Sequence, residues 1–193
     1  MISKGFDVIE EALFNAEEKM EKAIEVAKEE FAAIRTGRAN AAMFSKIMVD
    51  YYGSPTPLQQ LASFNIPEPR SVLISPFDAS SMKAIERAIR DSDLGVNPTN
   101  DGKVIRINLP ELTEERRKQY VRLAHTKAEE ARISLRAVRH KAKDTLEKLD
   151  KDGKVGEDDA KRGLKELEAL TKRFVDQVDE LASRKEAELL EVG

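Results

Sequence analysis

A chain of 193 residues with a net charge of −3 has no overall bias toward nucleic acid, so any such bias must be local. With no Cys, a disulfide framework, a thiol nucleophile and a cysteine zinc site are excluded, and a reducing compartment fits. Charged residues at 36% beside aromatics at 5% point to long, solvent-flanked helices rather than a thick globular core. Charges arrive too early after Met1 for a secretory signal, and no apolar run approaches the ~20 residues of a membrane span, so a soluble cytoplasmic chain is expected.

Helical periodicity opens the chain. Ile9, Leu13, Ala16, Met20, Ala23, Ala27, Phe31 and Ile34 recur in steps of three and four, which puts them on one helix face. Gly37 is a natural breaker after that helix. The texture then changes, because all seven prolines lie between Pro55 and Pro110. Residues 47–52 read as a strand closed by a turn over Gly53, Ser54, Pro55, Thr56 and Pro57. Residues 63–66 and 71–75 read as further strands. Asp78 is placed to cap a helix over 79–91 with Met82, Ile85 and Ile89 inward. Asn100, Asp101 and Gly102 form a turn signal, and 104–107 is a closing strand.

A second helix is predicted from Thr113 to Asp150, on the order of 55 Å long at 1.5 Å per residue. Its seam is Val121, Ala124, Ala128, Ala131, Leu135, Val138, Ala142 and Leu149. Residues 150–156 are a polar turn with two glycines, too short for anything but antiparallel neighbours. A third helix carries Ala160, Leu164, Leu167, Phe174, Val178 and Leu181 inward. The predicted class is α+β: residues 1–35 and 110–193 form a long three-helix bundle, and 36–109 form an inserted β-rich (β/α/β) domain. Two chain crossings join them and can act as a hinge.

Charge follows the second helix. From Arg116 to Lys143 there are ten Lys or Arg and two acids, +8 over 28 residues, which leaves −11 for the other 165. Arg132, Arg136, Arg139 and Lys143 are spaced four, three, four, each one position after a seam residue. One position is about 100° around a helix, so this basic stripe flanks the buried seam. Guanidinium forks in line suit phosphates, and binding through them would depend on salt. A solvated face with i,i+4 ion pairs is the other reading, but acids that could pair within the stripe itself are missing. Arg35 and Arg38 form a second basic pair, also readable as C-terminal charge favoured by the helix dipole.

Residues arranged for bond chemistry are few. His125 and His140 are about 22 Å apart along one helix and cannot share a metal or proton relay. No phosphate-binding glycine loop, dinucleotide fingerprint or nucleophile elbow is present. No catalytic residue, cofactor site or metal site is assigned, and an enzyme is not expected. Tyr51 and Tyr52 could stack on bases or simply pack a sheet.

Several segments together resemble one family, the ribosome recycling factors. The run Ile34 to Ala39 looks like its Ile-Arg-Thr-Gly-Arg-Ala motif. Asp50 to Gln60, Ser92 to Gly102, Leu112 to Arg117, Arg136 to Lys143 and Lys185 to Leu189 are similar to further signatures, in family order. The resemblance implies an L-shaped, two-domain molecule, a three-helix bundle with a β-rich domain on flexible hinges. It implies binding to the post-termination ribosome and, with elongation factor G and its GTP hydrolysis, separation of the subunits. By motif match Arg35, Arg38, Arg136 and Arg139 would contact large-subunit RNA. Arg132 and Lys143 join them from the stripe geometry alone. The expected partners are the ribosome and elongation factor G, with no membrane, and the expected state is a monomer. The chain departs from the family pattern at His140, often arginine, and at Asn40, where proline is common. A ribosome-binding paralogue that holds idle ribosomes and a coiled-coil adaptor without RNA stay open as alternatives.

Overall fold

The computed structural model describes residues 4–191, with side chains from residue 8 onward. Two compact units emerge: one holds the chain up to residue 31 with 124–184, the other 32–123 with the residues from 185 on. The sequence-based division at 36 and 109 follows chain texture; these units follow packing and assign the helix segments 114–123 and 185–190 to the β-bearing part.

The first unit is built from α1 (Lys4–Ala32), the part of α4 (Glu114–Lys151) from residue 124 on, and the part of α5 (Glu157–Leu190) up to residue 184. Most of the predicted seam is buried: Ile9, Ala16, Met20 and Ala27 of α1, Ala124, Ala128, Leu135 and Ala142 of α4, and Leu167, Phe174 and Val178 of α5. Leu135, Leu146 and Leu167 are at most 1% exposed, each worth roughly 2–3 kcal/mol of apolar burial. Leu146 was missing from the predicted seam. The alanines let the helices approach closely, and Gly163 marks the tightest point. A Cβ there would sit 2.9 Å from Ile9 Cγ2 and 3.6 Å from both Leu146 methyls. Contacts between helices fix the directions. Arg132 meets Asp179 and Arg139 meets Glu168, so α4 and α5 run antiparallel. Gly163 lies by Ile9 and Arg173 pairs with Glu17, so α5 runs parallel to α1.

Local chemistry sets the ends of α4. The Thr113 hydroxyl accepts from Arg116 N–H at 3.2 Å, and Glu114 and Glu115 occupy the first turn, favourable beside the positive end of the helix dipole. At the other end Gly153 takes φ +68 while Lys154 N–H reaches the Leu149 carbonyl and Gly153 N–H that of Asp150, both at 2.9 Å. This pairing closes a helix only where the turning residue tolerates a left-handed backbone.

In the second unit a four-stranded antiparallel sheet runs in the order β3 (Ala62–Glu68), β4 (Ser71–Pro76), β6 (Ile105–Asn108), β5 (Thr99–Asn100). A single turn, α2 (Leu58–Leu61), precedes β3, and helix α3 (Met82–Arg90) buries Met82, Ile85 and Ile89, as their spacing predicts. Asp78 caps the preceding 3-10 turn, its carboxylate accepting from Ser80 N–H. One core joins Phe44, Val49, Leu58, Val72, Ile74, Ile85, Ile89, Ile105 and Ile107. Strand β6 alternates buried Ile105 and Ile107 with exposed Arg106 and Asn108, the period-two pattern of a half-covered strand.

One predicted turn is a strand. Ser54–Pro57 forms β2, paired antiparallel with β1 (Met48–Tyr51), and only Tyr52 and Gly53 turn. Both have positive φ, +49 and +78, the requirement of a two-residue type I′ hairpin. The prolines misled because they normally exclude a strand. Register explains the exception. The closing pair Tyr51↔Ser54 is hydrogen-bonded, so Pro55 and Pro57, opposite Asp50 and Met48, fall at the alternating pairs where no N–H is needed. The chain is thus α+β, a long helical bundle with a small antiparallel β unit.

Candidate nucleic-acid interface

Along α4, Arg132, Arg136 and Lys143 each follow a buried residue, Ala131, Leu135 and Ala142, while Arg139 follows half-buried Val138. The stripe therefore lies beside the seam, as its spacing requires. Its side chains remain accessible in part: 25% for Arg132, 53% for Arg136, 38% for Arg139 and 49% for Lys143.

The stripe is not bare of counter-charge, and here the sequence reading is corrected. Arg132 donates from Nη2 to Asp179 at 2.6 Å and from Nη1 to Glu129 at 3.1 Å. Arg136 donates to the other Glu129 oxygen at 2.8 Å. Arg139 lies 3.7 Å from Glu168, and Lys143 3.5 Å from Glu147. Glu129 serves two arginines because it stands three and seven residues before them on one helix face. Asp179 and Glu168 belong to α5, so no inspection of α4 alone could find them. The hydrogen bonds from Arg136 and then Arg132 hold Glu129 below the usual glutamate range, and the bond to Asp179 holds Arg132 above its own.

Such pairs do not disqualify the stripe. Solvent-exposed ion pairs contribute about 0–1 kcal/mol, so a phosphate can replace Glu168 or Glu129 at small cost. Meanwhile the carboxylates hold the guanidinium forks in place. Arg136 and Arg139, with one carboxylate apiece, are the readiest to exchange, and Arg132, held from two sides, the least.

The pair near the end of α1 separates into two roles. Arg38 is exposed, its side chain 73% accessible, and is 3.7 Å from Glu191. Arg35 is 5% exposed. Its guanidinium donates to the Leu94 carbonyl at 3.3 Å and to the Pro110 carbonyl, tying the entry and exit of the β-bearing segment to one side chain. Burial lowers its pKa, with Tyr120 opposing that shift. Arg35 is therefore engaged by backbone oxygens of its own unit, unlike exposed Arg38. A hint was available: Arg35 is four residues after Phe31, at the same step that continues the α1 seam.

Two further cations of the same unit, at the ends of motifs, have no role assigned from sequence. Arg117 donates to the Leu112 carbonyl at 3.3 Å and keeps its Nε buried without a partner. Lys185, 8% exposed, pairs with Glu188 at 2.9 Å. His140 is 75% accessible and 3.7 Å from Asp144, and His125 is exposed. Among the described residues no group of three or more His, Cys, Asp or Glu could hold a metal ion, and no helix is long and apolar enough to cross a membrane.

The family model described as ribosome recycling factor matches residues 27–190. A ribosome-recycling factor of Kineococcus radiotolerans is 69% identical over 185 residues, 96% of this chain and 100% of that protein. One from Streptomyces avermitilis is 64% identical over the same coverage. The solution structure of a ribosome recycling factor is similar at a TM-score of 0.74 and 42% identity, covering all of both chains. A T. thermophilus ribosome recycling factor, placed with E. coli elongation factor G on the E. coli post-termination complex, is similar at a TM-score of 0.67 and 43% identity over 95% of this chain and 99% of that one. The chain belongs to the ribosome recycling factor family.

Proposed function

We propose that this chain binds the post-termination ribosome and, with elongation factor G and GTP, promotes its dissociation into subunits. The observation that carries the RNA-binding part is the unbroken α4, which presents Arg132, Arg136, Arg139 and Lys143 on one flank. A helix has no internal freedom to follow a flexible ligand, so such a row fits a folded RNA whose phosphates are already spaced. Arg38 adds an exposed cation at the start of the β-bearing unit. Arg35 acts by holding that unit's backbone rather than by touching RNA. Binding, not bond chemistry, is the chain's contribution; the hydrolysis belongs to elongation factor G. The β-bearing part of the chain is what moves when the motor protein acts.

Light scattering of post-termination ribosomes tests this. Subunit separation should require the chain, elongation factor G and GTP together. Stable binding without separation, with all three present, would leave a ribosome-holding factor instead.

A further inference from the structure

Phe14, on α1, is 60% exposed. It does not stand alone. With Leu13 and Leu170 it floors an open groove of about 570 Å³ between α1 and α5, rimmed by Glu10, Glu11, Glu17 and Glu166. Glu17 is engaged by Arg173, whereas Glu10, Glu11 and Glu166 have no ion-pair partner among the described residues. Scattered apolar side chains on a surface need no explanation, but an aromatic ring set in a groove with uncompensated carboxylates marks a contact surface.

The charge decides what can occupy it. Helix α1 carries nine acids and four bases, net −5, while α4 carries seven acids and twelve bases, net +5. The bundle unit is thus polar across its section, with an anion-seeking flank on α4 and a cation-seeking groove between α1 and α5. A phosphate backbone is repelled from this groove. We propose that it receives a Lys- and Arg-rich segment of a protein that inserts one aliphatic or aromatic anchor beside Phe14. The carboxylates would take the cations and the ring would offer its negative face to them. For where that partner is found, the proposal rests on the ribosome-binding reading. On that reading the partner would be met on the ribosome, on the flank opposite α4.

The test uses the full chain with a benzophenone-bearing amino acid in place of Phe14, irradiated on purified large ribosomal subunits. Co-sedimentation of the wild-type chain is the separate control for the ribosome-binding reading; its absence overturns that reading and the location of the partner with it. With co-sedimentation present, the expected adduct resists ribonuclease and maps by mass spectrometry to a basic protein segment. An adduct to RNA or to a second copy of the chain, or none, overturns the proposal. The double variant Glu10→Lys, Glu166→Lys gives a second reading. Both side chains are exposed, so its melting should match the wild type. Its affinity for large subunits should fall about tenfold. An unchanged affinity, or the rise that general attraction to RNA would produce, overturns the proposal.

Discussion

Arg35→Ala separates a fold-holding arginine from an RNA-contacting one. The substitution removes two hydrogen bonds from a charged donor, to the carbonyls of Leu94 and Pro110, and leaves both oxygens without that partner. Hydrogen bonds to charged groups contribute about 1.5–3 kcal/mol each, and relief of the buried charge offsets part of the loss, so the net cost should be about 3 kcal/mol. With a urea slope of about 2 kcal/mol/M, the midpoint should drop by about 1.5 M. The chain has no Trp, and its three tyrosines, Tyr51, Tyr52 and Tyr120, all lie in the β-bearing unit, so tyrosine fluorescence reports on that unit directly. Arg35→Lys should lose an intermediate amount, because an ammonium keeps the charge but not the planar fork. Below the transition, Arg35→Ala should still co-sediment with large subunits within about threefold of the wild type, since the α4 stripe is untouched. A midpoint within about 0.3 M of the wild type, together with a tenfold or greater loss of ribosome binding, would refute this reasoning and make Arg35 the contact itself.

Arg139→Ala should show the opposite profile: a stability change of at most about 1 kcal/mol, because its pair with Glu168 is solvent-exposed, and a salt dependence of ribosome binding shallower by about one unit of log–log slope. Tyr52→Asn should raise the melting temperature, since asparagine tolerates the left-handed backbone at φ +49 better than tyrosine and Asn-Gly is the preferred type I′ pair. Gly163→Ala should destabilise by about 1–2 kcal/mol despite roughly 1 kcal/mol of improved helix propensity. Combining it with Ile9→Leu, which removes the branch at Cβ, should recover most of that loss in a thermal melt. Asp78 is held below the usual aspartate value by its bonds from Ser80 and Tyr51, so its stabilising effect is present above that value and fades as pH falls through the lower folded one. Carboxyl NMR shifts should place its midpoint below 3.8; a midpoint at or above it would contradict the cap.

Much of the architecture was legible because it depends on local periodicity. The seam of α1, α4 and α5 is written in steps of three and four, and the caps of α4 in Thr113 and Gly153, so the bundle needs no tertiary information to be inferred. Met82, Ile85 and Ile89 declared the buried face of α3 in the same way. The β2 strand escaped because its two prolines read as a turn, and only the register opposite β1 shows that neither N–H was required. The line of basic residues on α4 was equally visible, since each cation trails a seam position by one.

What tertiary structure decided was the environment of those cations. Side chains of equal charge in a sequence differ once neighbours from other elements arrive. Asp179 and Glu168 come from α5, each more than twenty residues from its partner in sequence, and hold Arg132 and Arg139. Leu94 and Pro110 bring carbonyls to Arg35 and take it out of the surface. Position along a helix follows from 3.6 residues per turn and can be counted. Whether a guanidinium faces water, a carboxylate or a backbone oxygen depends on distances between elements, which no single segment contains.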